Sequence, residues 1–297
     1  MSAIYRSTAG AQAVRQRYLE LLDQWPVPAQ RLRLPTSEGE TFVVACGPQD
    51  APAVLALQGS GANTAMWLGQ IGAWARSLRV YAVDVIGEPG LSAPSRPPLA
   101  GDAYAGWLDD VLDGLDLPAA ALMGVSFGGW IVLDYAIRRP NRVTRLVLLN
   151  PSGIGRRKIG APVAAGLLSL FGARGRRRGL TLALGPAARR IPATPDGART
   201  SAAKAAMASL VFKHFKPRLG PVPRFDDVAL RRLAMPILAV VGEQDAMLDA
   251  RQTVRRLEQT AAHATVRSLP DVGHLLPDQT GPVLDFLRTG KPAASHD

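Results

Sequence analysis

Apolar residues collect in short, nearly unbroken runs: "TFVVAC" (41–46), "AVLALQG" (53–59), "RVYAVD" (79–84), "AALMGVS" (120–126), "RVTRLVLLN" (142–150), "PILAVVG" (236–242) and "ATVRSLP" (264–270). Runs of this length that do not alternate with polar residues predict strands covered on both faces. Between them, "DAYAGWLDDVLDGL" (102–115) and "GGWIVLDYAIRR" (128–139) carry apolar positions at helical spacing. Val14, Tyr18, Leu21, Leu22 and Trp25 have the same spacing and predict an amphipathic helix over about residues 8–25. Strands alternating with helices give an α/β fold with a mostly parallel sheet flanked by helices.

The rhythm stops after "LLNPSG" and resumes at "MPILAVVGEQD". The intervening stretch is rich in Arg, Ala, Gly and Pro and contains helical segments without a convincing strand. The expected organisation is one core, residues 1–150 and 233–297, interrupted by a helical insertion at 151–232. A chain of 297 residues, 47% apolar and 20% charged, is long enough to bury such a core.

Charge sharpens this division. The net charge of +11 is concentrated between Pro151 and Leu233, where seventeen Lys and Arg face only Asp196, Asp226 and Asp227. The runs "GRRK" (155–158) and "RGRRRG" (174–179) read as solvated surface, or as attraction for an anionic substrate or an acidic membrane surface. Nucleic acid is not an expected partner, because no aromatic residues are interleaved with these charges. The longest apolar stretch, "APVAAGLLSLFGA" (161–173), is too short to span a bilayer but long enough to lie on one or to cover a pocket. Cys46 is the only cysteine and sits in an apolar run, so an intramolecular disulfide is excluded, and a reducing, cytoplasmic location is expected. No signal peptide is legible at the N-terminus. One Cys and four His make a structural metal site improbable, and no cofactor is expected.

The chemistry begins at "LMGVSFGGW" (122–130), where a strand runs directly into a helix with Ser126 at the join. So sharp a turn strains the residue at its apex and demands small neighbours, here Gly124 and Gly128. A serine hydroxyl attacks a carbonyl only when a base takes its proton and a third group orients that base. Of the four histidines, His274 lies in a loop after the last strand, in "LPDVGHLLP"; His263 follows a helix, His214 is in the insertion and His296 is in the tail. "ILAVVGEQDAMLD" offers Glu243, Asp245 and Asp249 as the acid. Asp245 is favoured, since Asp249 suits the N-cap of the next helix and the end of the preceding core strand holds Asn150.

Ser126, Asp245 and His274 thus occur in the order nucleophile, acid, base, and the chain resembles the α/β-hydrolase superfamily over most of residues 30–290 outside the insertion. "LQGSGANTAMW" (57–67) is similar to that family's oxyanion loop, and "VDVIGEPGLSAP" (83–94) to its D-x-x-G-x-G-x-S segment. The resemblance implies an oxyanion hole built from the backbone N–H groups of Ser60 and Phe127, each worth roughly 10²–10³ in rate, and an insertion that forms a cap over the site. Two departures stand out: Gln58 occupies a position where the family often has His, and Glu88-Pro89 replace the more common residues of the second segment. Glu88 reads either as a solvated turn residue or as a group facing the substrate. A serine at the nucleophile position excludes the haloalkane dehalogenases and epoxide hydrolases of the superfamily, which use aspartate there.

These observations lead to the expectation of a cofactor-independent serine hydrolase of carboxylesterase type acting on a small-molecule ester. The alternatives are a C–C or lactone hydrolase, a perhydrolase, for which the bulky Phe127 gives no support, and a non-catalytic receptor that reuses the fold.

Overall fold

The computed structural model describes residues 4–185, 195–218 and 220–290. Eight strands form one sheet in the order β1-β2-β4-β3-β5-β6-β7-β8. These are β1 (Ala29–Leu34), β2 (Thr41–Cys46), β3 (Ala53–Leu57), β4 (Arg79–Val83), β5 (Ala120–Val125), β6 (Val143–Leu149), β7 (Ile237–Gly242) and β8 (Thr265–Leu269). Strand β2 pairs antiparallel with β1 and β4, and the remaining pairs are parallel. All seven expected strands are present.

The absence of polar alternation has a direct physical reading. Leu55, Leu57, Leu122, Leu146, Leu148 and Ala239 enter one buried cluster, while Val54, Ala56, Met123, Val147, Leu238 and Val240, one residue out of phase, enter another. Each of β3, β5, β6 and β7 therefore feeds two cores. Helices α3 (Ala103–Asp113), α4 (Phe127–Arg138) and α9 (Ala250–Thr260) cover the first face; α1 (Thr8–Leu22), α2 (Ile71–Trp74) and α10 (Thr280–Thr289) cover the second.

Strand β1 is an addition to the sequence reading. Its residues "AQRLRL" are mostly exposed, with Arg31 and Arg33 turned to solvent. An edge strand pairs on one side only, and its charges discourage further pairing.

Between β6 and β7 the described residues form α5 (Gly160–Ser169), α6 (Gly172–Leu184), α7 (Pro195–His214) and the short α8 (Asp227–Leu230). The flanks of this segment belong to the core: Ile154, Leu230 and Leu233 are buried in the first cluster. Helix α7 packs on α1. The Arg6 N–H donates to the His214 carbonyl (2.8 Å), the Lys216 N–H donates to the Ile4 carbonyl (2.8 Å), and Tyr5 meets Phe215 edge-on at 6.0 Å. No helix among the described residues is long and apolar enough to cross a membrane.

Candidate active site

The loops that leave the carboxyl ends of β3, β4, β5, β6, β7 and β8 carry all the candidate residues, the edge at which open α/β sheets generally bind ligands. Ser126 joins β5 to α4 with φ 51° and ψ −107°, a strained conformation for any residue with a Cβ. The flanking glycines are required by space. A Cβ on Gly124 would lie 2.3 Å from the Gly128 carbonyl oxygen, and one on Gly128 would lie 2.4 Å from that of Gln58. The turn is held from several sides: the Ser126 N–H donates to the Leu149 carbonyl (3.0 Å), and the Ser126 carbonyl accepts from the amides of Trp130 and Ser152 (both 3.0 Å). Behind it, Phe127 stacks on Trp130 with ring centroids 6.0 Å apart, and Trp130 stacks on Phe225 at 5.7 Å.

Asp245 and His274 meet across the β7 and β8 loops. Asp245 Oδ2 is 2.6 Å from His274 Nδ1, and both side chains are buried. Oδ1 of the same carboxylate accepts from the amides of Met247 (2.7 Å) and Leu248 (3.0 Å), which fixes its orientation. With Nδ1 engaged, Nε2 is the ring nitrogen left for proton transfer. Among the described residues no hydrogen bond ties the Ser126 hydroxyl to the imidazole; such contacts commonly tighten only around substrate.

Asn150, at the end of β6, connects the two loops. Its Nδ2 donates to the carbonyls of Gly273 (3.2 Å) and His274 (2.8 Å), and its Oδ1 accepts from the Gly242 N–H (2.8 Å). The sequence marked this position only as lacking an acid. Its positive φ of 43°, which Asn tolerates better than most residues, turns the amide inward. The other acids and histidines lie outside this arrangement. Asp249 caps α9 by accepting from the Gln252 N–H (3.0 Å), as expected, and Glu243 accepts from the Ser268 hydroxyl (2.9 Å). His263 Nε2 contacts the Met235 carbonyl (3.0 Å), His214 ends α7 beside α1, and His296 lies outside the described residues.

The amides of Ser60 and Phe127, the expected oxyanion donors, donate to no group among the described residues. Gln58 is fully buried, and its amide spans the end of β4, with the nitrogen donating to the Val83 carbonyl (2.6 Å) and the oxygen accepting from the Val85 N–H (2.8 Å). It thus ties the start of the loop after β3 to the end of β4. Glu88 corrects the reading of a solvated turn residue. It is 2% exposed, and its Oε2 accepts from the Gly61 N–H (2.6 Å) and the Ser60 hydroxyl (3.1 Å). Burial pushes its carboxyl up to about 7, against the opposing pull of the Gly61 N–H and of Arg96. No group of three or more His, Cys, Asp or Glu among the described residues is arranged to hold a metal ion.

The segment between β6 and β7 reaches the loops after β3, β7 and β8. Lys158 Nζ donates to the Asp245 carbonyl (2.8 Å), the Leu275 N–H to the Leu184 carbonyl (2.9 Å), and Lys204 Nζ to the Met66 carbonyl (3.0 Å).

Residues 53–286 match the model of the alpha/beta hydrolase family. The chain belongs to that family. Among its relatives is the carboxylesterase YbfK of Bacillus subtilis, 29% identical over 266 residues that cover 88% of this chain and 87% of the relative. The crystal structure of that carboxylesterase superposes with a TM-score of 0.77 at 28% identity, covering 96% of this chain and all of the other. The naproxen esterase of Bacillus subtilis gives a TM-score of 0.77 at 25% identity, covering 95% of this chain and 98% of that one. The putative carbamate hydrolase RutD of Variovorax paradoxus is 30% identical over 252 residues, covering 77% of this chain and 86% of its own. Within this alpha/beta hydrolase, the strained serine and the acid-histidine pair lie on the loops after β5, β7 and β8.

Proposed function

We propose that the protein is a carboxylesterase working through an acyl-enzyme on Ser126. The 2.6 Å contact between Asp245 and His274, at the same sheet edge as the strained serine, carries this reading. The naming of the relatives as carboxylesterases supports it. His274 Nε2 takes the Ser126 proton as Oγ bonds to the ester carbonyl carbon. The amides of Ser60 and Phe127 hold the oxyanion, and Asp245 stabilises the imidazolium. The C–O bond then breaks, and the alcohol leaves with the proton from His274. Water activated by the same imidazole attacks the acyl-enzyme and releases the carboxylic acid. Residues 151–232 act as the cap that shapes the acyl pocket.

Hydrolysis of p-nitrophenyl esters from acetate to palmitate, compared between the wild type and Ser126→Ala, tests the reading. Turnover in the wild type should fall by on the order of 10⁴- to 10⁶-fold in the variant, with an unchanged circular dichroism spectrum. A folded wild type that hydrolyses none of these esters and leaves a fluorophosphonate probe unreacted would instead be a binding protein on this fold.

A further inference from the structure

Glu88 has no part in the acyl chemistry, yet it is a carboxylate only 2% exposed that bonds directly to the oxyanion loop. One carboxylate oxygen, Oε2, takes both the Gly61 N–H at 2.6 Å and the Ser60 hydroxyl at 3.1 Å. Gly61 has a φ of 72°, a turn conformation that favours glycine. The Ser60 amide, one residue earlier, is left without a partner among the described residues. Glu88 is itself fixed. Arg96 Nε donates to the carbonyl of the preceding Gly87 (3.0 Å), the Gly90 N–H donates to the Glu88 carbonyl (2.8 Å), and Asn63 Nδ2 donates to the Pro89 carbonyl (3.0 Å).

We infer that Glu88 is a positioning residue for the proposed ester hydrolysis: its carboxylate latches the Gly61 amide and the Ser60 hydroxyl, so that the Ser60 amide stays presented to the oxyanion. The inference rests on the carboxylesterase reading for its catalytic half only. An anion is the suitable latch, because an acceptor bearing full charge holds an N–H and an O–H together more strongly than a neutral one. Groups from four segments face it: Arg96 from the loop after β4, Arg218 from the segment after α7, Tyr104 from α3 and Tyr5 from the segment before α1. The two guanidiniums favour the ionised form. Burial opposes it and sets the carboxyl near 7, so the latch engages as pH rises through neutrality.

Glu88→Gln keeps the shape and removes the charge; Glu88→Leu removes the acceptor. Amide exchange at Gly61, corrected for intrinsic rate and read without substrate at pH 8, should be slower in the wild type than in Glu88→Leu by about tenfold or more. With p-nitrophenyl acetate, kcat should fall roughly 10- to 100-fold in Glu88→Leu while KM stays within about twofold, the pattern of a lost oxyanion donor. At pH 8 kcat/KM of the wild type should exceed that of Glu88→Gln, and the excess should shrink as pH falls below about 7, where Glu88 takes up its proton. Equal Gly61 exchange in all three proteins, or kcat unchanged in both variants, overturns the inference. A wild type without Ser126-dependent turnover overturns the esterase reading instead, and exchange then decides alone whether Glu88 holds the turn.

Discussion

Asn150 shows how much one side chain contributes at this site. Three buried backbone groups from two loops depend on its amide: the Gly242 N–H and the carbonyls of Gly273 and His274. Truncation to alanine leaves all three without that partner, which should lower stability by about 2–4 kcal/mol. It also frees the backbone that carries the imidazole. Asn150→Ala is therefore expected to lose ester turnover by more than its lower denaturation midpoint explains, measured well below that midpoint; full activity in the folded variant would contradict this. The sequence made Ser126, Asp245 and His274 legible because each has a chemical reason to follow a strand. It could not do the same for Asn150 or Glu88. Their roles depend on backbone direction and on burial by distant segments, and neither leaves a local pattern.

At the scale of elements, strands were easier to read than edges. Strands β5, β6 and β7 are apolar on both faces because helices cover both, so their continuous runs announced them. Strand β1 alternates charge and leucine, has a partner on one side only, and resembles a polar loop in the sequence. The β4 loop carries a local energetic cost. Glu88 is almost wholly buried with a carboxyl at about 7 against an ordinary 4.5. A raised carboxyl means that the folded state holds its proton longer than the unfolded one, so stability falls as pH rises from about 4.5 to about 7. The ionised group should then cost on the order of 3 kcal/mol above that window. Glu88→Gln removes the titration, so its stability relative to the wild type should increase between pH 5 and pH 8, measured as the urea midpoint at each pH. A difference that does not change with pH would place the ionisation elsewhere.

The whole molecule is electrically lopsided, with its positive excess in the insertion. There Arg156, Arg157, Lys158, Arg174 and Arg178 are exposed, and so are Val163 and Leu167 on α5 and Ile159, Leu170 and Phe171 at its ends. Apolar side chains rimmed by cations fit the surface of an anionic bilayer. Co-sedimentation with vesicles containing phosphatidylglycerol should exceed that with phosphatidylcholine alone, weaken in high salt, and drop in Leu170→Asp. Equal recovery on both vesicle types would leave these charges as ordinary solvated surface. The contact between α1 and α7 has a practical side. Residues 4–6 meet His214, Phe215 and Lys216, so this N-terminal segment grips the end of α7. A fusion tag or a proteolytic cut ahead of Ser7 would act as a lever on the end of α7, far away along the chain.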